Sequence, residues 1–199
     1  MKKSRLFLHA VHGPWGRRSR HLSGEELAAG LQNLAPPGDV GSLALIVTRG
    51  DDGHRETPER TTLTPEGGVP GDAWFRDNPE RMDTQVALMR VDVAELVAAG
   101  QPLTLFGDNL LVDLDLSLVN LPAGSRFRVG AAELEVTPEP HDGCLKFKQR
   151  FGGDALRFTA EPDYKDLRLR GIYAKVVLAG EVSVGDRIEV LSRGERAPA

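Results

Sequence analysis

Cysteine is almost missing from this chain. Cys144 is the only one in 199 residues, which excludes an internal disulfide and every zinc site built from several thiolates. Lysine is scarce as well: 6 of the 25 basic residues are lysines and 19 are arginines. Arginine's planar fork suits bidentate binding of phosphate or carboxylate, although a GC-rich genome produces the same bias. No apolar run approaches the roughly 20 residues of a membrane span. The stretch from Leu6 to Val11 contains His9 and is too short for a signal-peptide core, so a cytoplasmic location without a membrane partner is expected. There is no GxxxxGK[ST], no GxGxxG after a strand, no HExxH and no GxSxG, so nucleotide-loop, zinc-protease and serine-hydrolase signatures are all absent.

What is present is a globular composition, 40% hydrophobic and 27% charged. The length fits one domain with appendages. The first 24 residues hold Lys2, Lys3, Arg5, Arg17, Arg18 and Arg20 and no acid, leaving 19 basic against 29 acidic residues in the rest. An acidic body argues against a nucleic-acid partner. The basic arm reads as a loose terminus. Within it, His9-x-x-His12 has ligand spacing but no supporting shell.

Residues 1–38 are read as this arm plus a short helix, Ser23 to Leu34, with Ser23 and Glu26 as a capping box and Leu27, Ala28, Leu31 and Leu34 on one face. Residues 39–192 are read as one β domain. Strands are expected at Ser42–Thr48, Arg60–Leu63, Gln85–Met89, Leu110–Val119, Ile172–Leu178 and Arg187–Leu191, with a hairpin of Arg126–Gly130 and Ala132–Val136 about Gly130. Asp92 to Ala99 reads as a helix with Asp92 as N-cap and Gly100 as its stop. Leu145–Phe151 and Asp154–Phe158 read as helical turns, and 193–199 as a disordered tail.

The segment Ala123-Gly124-Ser125-Arg126-Phe127-Arg128-Val129 is echoed by Val184-Gly185-Asp186-Arg187-Ile188-Glu189-Val190. Each is a glycine turn feeding an amphipathic strand. Two such copies are too few for a solenoid and fit recurring corners of one sheet. Many short strands and few helices give the fold class: mainly β, a closed or partly open β-barrel decorated by short helices.

The one crowded chemical segment is Pro138-Glu139-Pro140-His141-Asp142-Gly143-Cys144-Leu145-Lys146-Phe147-Lys148. Gly143 would leave the thiol accessible. Cys144 would stand at a helix start with Lys146 and Lys148 close by, a setting that favours thiolate, and His141 is placed to act as its base. The opposing reading is a buried, inert cysteine. Both stand on the residues alone.

Further motifs come in a definite order from Gly71 to Leu191. Gly71-Asp72 resembles an early "GD", and Gln85-Val86-Ala87-Leu88 a strand ahead of a helix. Phe106-Gly107-Asp108-Asn109-Leu110 resembles "FGENL", and Asn120-Leu121 to Gly130 a "GD…G" hairpin. Thr137-Pro138 to Cys144-x-Lys146 resembles "PR-x-PC-x-K", with Phe151-Gly152 following. Arg170-Gly171-Ile172-Tyr173-Ala174-Lys175-Val176 resembles "RG-x-Y-x-x-V", and Gly180-Glu181-Val182 to Val184-Gly185-Asp186 a closing "G-x-V-x-x-GD". Together these resemble the MOSC domain family, the C-terminal domain of molybdenum-cofactor sulfurase, in its stand-alone bacterial form. Three departures stand out. Arg81-Met82-Asp83-Thr84 replaces the usual "HGG", Gly143 replaces the proline before the cysteine, and Asp108 replaces the glutamate of "GEN".

The resemblance implies a β-barrel that binds molybdenum cofactor or carries sulfur on Cys144, as a sulfurtransferase or a cofactor-dependent reductase. It implies Cys144 as metal ligand, and a pterin cofactor or a sulfur-donor protein as partner. Arg170 and Arg168, then Lys146, would meet the pterin phosphate, and Asn109 would bond the pterin or shape its loop. In the large sulfurase a domain using pyridoxal phosphate precedes this one; no such domain fits in 199 residues beside the barrel. The alternative is a non-catalytic binding or interaction module on the same barrel.

Overall fold

The computed structural model describes residues 15–195. The His9–His12 pair and Lys2, Lys3 and Arg5 lie outside the described residues. Among the described residues eleven strands occur: β1 Val40–Ile46, β2 Thr48–Arg49, β3 Arg55–Glu56, β4 Arg60–Leu63, β5 Val86–Arg90, β6 Leu110–Asp113, β7 Arg126–Val129, β8 Ala132–Val136, β9 Ile172–Leu178, β10 Gly180–Ser183 and β11 Arg187–Ser192. Seven of them close a barrel in the order β1-β11-β7-β8-β9-β5-β6, with β1 also bonded to β6. Outside it, β4 pairs with β10 and β2 with β3. The helices are α1 Gly24–Leu31, α2 Ala73–Asp77, α3 Val91–Ala98, α4 Leu145–Phe151 and α5 Gly153–Thr159. Among the described residues no helix is long and apolar enough to cross a membrane.

Period-two patterning builds the hairpin side of the barrel. Along β7, Phe127 and Val129 are buried while Arg126 and Arg128 are exposed; in β8, Ala132, Leu134 and Val136 are buried. The outward charges match across the ladder, Arg126 opposite Glu135 and Arg128 opposite Glu133, each pair 3.0 Å apart. Inward, Phe127, Leu134, Leu43, Leu88, Leu110 and Ile188 belong to one core that fills the barrel. Burying each such side chain contributes about 1.5–3 kcal/mol. The repeated glycine turns serve neighbouring strands: Gly124 and Gly185 both adopt positive φ, and β7 runs antiparallel to β11 with Phe127 opposite Val190.

The β5–β6 pair is parallel, joined by a crossover through α3, and is buried on both faces. Val86, Leu88, Leu110 and Val112 face the barrel core, whereas Met89 and Leu111 join a second cluster outside it with Leu27 of α1, Val93 and Val97 of α3, and Phe147 and Phe151 of α4. In that layer the rings of Phe106 and Phe151 stack with centroids 4.1 Å apart.

Several boundaries differ from the sequence reading. The first helix stops at Leu31 rather than Leu34. Its capping box is present: Ser23 Oγ accepts from the Glu26 N–H, and Glu26 accepts from the Ser23 N–H. Arg90, not Asp92, is the N-cap of α3, because β5 runs into the helix without a linker. The Asp92 carboxylate instead accepts from the Val93 N–H and from the Arg90 guanidinium. The strand expected to reach Val119 ends at Asp113, since Asp115 turns the chain by accepting from the Ser117 N–H and hydroxyl. Where the sequence reading starts a disordered tail at residue 193, Arg193 instead donates to Asp39 and Asn120, and the Gly194 N–H donates to Ser125 Oγ.

Candidate functional site

A cavity of about 680 Å³ opens outside the barrel, between the β2–β3 hairpin, α2, the turn before β6, the N-terminal end of α4 and the start of β9. Cys144, His141, Lys146 and Arg170 all line it. Arg168 and Asn109 do not.

Cys144 is exposed and is the N-cap of α4, with extended backbone (φ −115°, ψ 178°) and no side-chain capping bond. Gly143, ahead of this exposed thiol, also packs tightly. A Cβ there would stand 2.3 Å from Leu156 Cδ1, so this glycine allows close packing of the loop on α5.

The floor of the cavity is a buried ion pair. Asp108 is 1% exposed. Both its oxygens accept from Arg170 Nη1 at 2.9 Å. Burial pushes the Asp108 carboxyl up, but the Arg170 charge and hydrogen bonds outweigh this and hold it below the usual carboxylate range. The Arg170 guanidinium also lies over the Phe147 ring, 5.2 Å from its centroid.

His141 belongs to this floor. Its side chain is 5% exposed, and Nε2 lies 3.4 Å from Asp108 Oδ1. The ring packs on Tyr173 with centroids 4.2 Å apart. Nδ1 is buried without a protein partner and faces Gly171, where an added Cβ would come within 3.2 Å. Burial first, then repulsion from Arg170, push its pKa down to about 3. At neutral pH the ring is therefore held uncharged beside the Asp108–Arg170 pair, on the same cavity as Cys144.

Burial at this depth has a pH signature. The unfolded chain takes up a proton at His141 below about pH 6.5, and the folded one refuses it until about 3. Stability is therefore full above 6.5 and falls as pH drops through that window, by up to about 1.4 kcal/mol per pH unit. Asp108, with its depressed pKa, adds loss of the same sign at the acid end. Urea unfolding from neutral to acid pH checks this: His141→Gln flattens the slope, and an unchanged slope in that variant overturns the assignment.

The walls are cationic. Lys146 is half-buried; burial, then repulsion from Arg150, lower its pKa. Arg150 is 4% exposed, donates from Nη1 to the Leu105 carbonyl, and has its pKa lowered to about 10 by burial and then by Arg55. Arg55 donates to the Gly53 and His54 carbonyls, while its Nε is buried and unpartnered. Its pKa is lowered by burial and then by Arg49.

Arg49 is anchored. Asp72 accepts from its Nε at 2.8 Å, its Nη2 at 2.6 Å and its backbone N–H at 3.0 Å. Asp72 also caps α2 through the Trp74 N–H.

Asn109 completes that network and is 0% exposed. It donates to Asp72, and its Oδ1 accepts from Arg49 and from the Ala87 N–H. Its hydrogen bonds are spent inside the protein, so it shapes the loop and does not reach a ligand. Arg168 sits in the left-handed region (φ 48°) and donates to the Leu121 carbonyl, away from the cavity, with Leu169 beside it in the helical cluster.

Arg49, Asp72, Arg55, Arg150 and Tyr173 were not singled out as site residues by the sequence. Only Gly71-Asp72 and the motif around Tyr173 carried a signal. Arg49 and Arg55 meet Arg150 across about a hundred residues of chain, a pairing that no local pattern encodes.

A family model described as "MOSC domain" matches residues 85–189. The uncharacterized protein YflK of Bacillus subtilis is 33% identical over 91 residues, 46% of this chain and 38% of that protein; the match thus spans well under half of the relative's length. Among solved structures, the YuaD protein from Bacillus subtilis aligns at TM-score 0.53 and 20% identity, covering 78% of this chain and 97% of that one. YiiM from Escherichia coli aligns at TM-score 0.52 and 20% identity, covering 78% and 72%. At that identity the likeness is one of fold. With more than half the sequence matched by the family model, the barrel closed and the cysteine-bearing segment beside its outer cavity, the chain belongs to the MOSC domain family.

Proposed function

We propose that the cavity takes up an anionic, sulfur-bearing group against the Cys144 thiol, as a protein that binds molybdenum cofactor or carries sulfur. The observation that carries this reading is one exposed thiol in a cavity whose cations exceed their partners: among the described residues neither Arg55 nor Lys146 has a carboxylate partner.

The residues present fit the cofactor that the family implies. A volume of about 680 Å³ lies within the range of small-molecule sites. Arg170 and Arg55 line the cavity, each with an Nη2 that makes no hydrogen bond among the described residues, and such donors suit the phosphate of a pterin. A cysteine thiolate is a soft ligand, suited to molybdenum or to a persulfide sulfur. When bound, the cofactor would supply oxygen- or sulfur-atom redox chemistry at its metal. The chain's own contribution is to hold the anion with Arg170, Arg55 and Lys146, to keep Arg170 fixed through Asp108, and to offer the thiol at the open side. Trp74 and Tyr173 give the cavity apolar walls.

Protein made in a host that synthesises the cofactor tests this. Molybdenum near one atom per chain, with fluorescent oxidised pterin released on denaturation, or a persulfide on Cys144, is the expected result. Cys144→Ser removes the metal or the sulfur while the barrel stays folded, because the replaced side chain is exposed and makes no capping bond. A Cys144→Ser protein that retains both in full overturns the reading.

A further inference from the structure

We infer that the anion which delivers sulfur to Cys144 is thiosulfate, a sulfane sulfur carried on a doubly charged oxyanion; this rests on the sulfur-carrier reading above. Of the cationic side chains that line the cavity, Lys146 and Arg55 have no carboxylate partner among the described residues. Lys146 has no ion pair or hydrogen-bond partner among the described residues. Arg55 spends Nη1 on two backbone carbonyls and leaves Nη2 without a hydrogen bond among the described residues. Arg170 is 8% exposed; its Nη1 serves Asp108, while its Nη2 makes no hydrogen bond among the described residues.

The carboxylates that also line the cavity are solvent-facing. Asp51 and Asp77 are exposed and share Arg76, and Asp142 is exposed. The interior is thus left with an excess of positive charge beside the thiol. A single carboxylate would compensate only part of it. The sulfonate end of a tetrahedral thio-oxyanion of charge −2 presents three oxygens to several donors at once.

The reaction balances without an outside oxidant. The Cys144 thiolate attacks the outer sulfur of thiosulfate. A new S–S bond forms, the S–S bond to the sulfonate sulfur breaks, and sulfite leaves with the electron pair. Cys144 becomes a persulfide anion, and total charge is −3 on both sides. The cations that dock the sulfonate also stabilise the sulfite that departs, which is where stabilisation speeds the step.

The test uses the full chain and thiosulfate itself. Wild type releases one sulfite per chain, gains the mass of one sulfur atom on Cys144, and is regenerated by cyanide with formation of thiocyanate. Cys144→Ser does none of these. Arg55→Gln and Lys146→Gln each raise the thiosulfate concentration for half-maximal loading about tenfold. Lys165→Gln, an exposed lysine outside the cavity wall, leaves it unchanged. Wild type that loads from glutathione persulfide but not from thiosulfate overturns this inference and leaves the sulfur-carrier reading intact. A chain that loads from neither, and holds no molybdenum or pterin, overturns both.

Discussion

Replacing Asp108 by alanine lowers the unfolding free energy by about 3 to 5 kcal/mol, the largest effect expected of any side chain at the site. The ion pair with Arg170 is not a surplus interaction: Asp108 is 1% and Arg170 8% exposed. With the carboxylate gone, a guanidinium remains desolvated over the Phe147 ring with no counter-charge. His141 Nε2 loses its neighbour at the same time. The cost is then mostly that of the stranded cation, so Asp108→Ala combined with Arg170→Met recovers more than half of it. Urea unfolding of the two single variants and the double variant reads this directly. A single-variant loss under about 1 kcal/mol would mean that water reaches Arg170 and that the floor of the cavity is not closed.

Gly171→Ala comes next, at about 3 kcal/mol. Its φ is +106°, and an added Cβ would lie 2.0 Å from the Leu88 carbonyl oxygen. That oxygen is backbone of a central barrel strand, opposite Ile172 in the β5–β9 pairing, so it has nowhere to move. The same added Cβ would meet His141 Nδ1 at 3.2 Å, and the strain therefore spreads to the cavity floor through Arg170 on one side and the imidazole on the other. Gly185 provides the comparison. Its φ is +91°, yet nothing lies within 4 Å of an added Cβ, and Gly185→Ala costs only the backbone strain, about 1 to 2 kcal/mol. Thermal unfolding of the pair separates crowding from dihedral preference; equal losses would refute the role given to the Leu88 carbonyl.

The barrel was legible because its signals are local. Alternation in Arg126–Val129 and Ala132–Val136, and the recurrence of Gly124 and Gly185 ahead of amphipathic strands, follow from period-two burial and from the left-handed φ that only glycine adopts easily. The cysteine segment was legible as a crowd of chemical groups. Its electrostatics were not. Asp108 reads in sequence as a turn residue beside Gly107, whereas in the fold it is the counter-ion of a residue 62 positions away. Asn109 presents the opposite case. A polar residue next to the site reads as ligand-facing, but the chain buries it completely to bond Asp72, Arg49 and Ala87. His141 needed depth rather than position. Its neighbours in sequence are loop residues, and only the packing of Tyr173 and Arg170 against it removes its basicity.

The strand order has a bearing on how the molecule is made. The first barrel strand to leave the ribosome, β1, bonds on one side to β6 and on the other to β11, the last. Until the final strand is synthesised, β1 and β7 each display a row of unmatched amide groups, the kind of edge that recruits strands from other molecules. Translation halted before Arg187 therefore leaves an open, adhesive sheet rather than a slightly shorter barrel, and closure depends on β11.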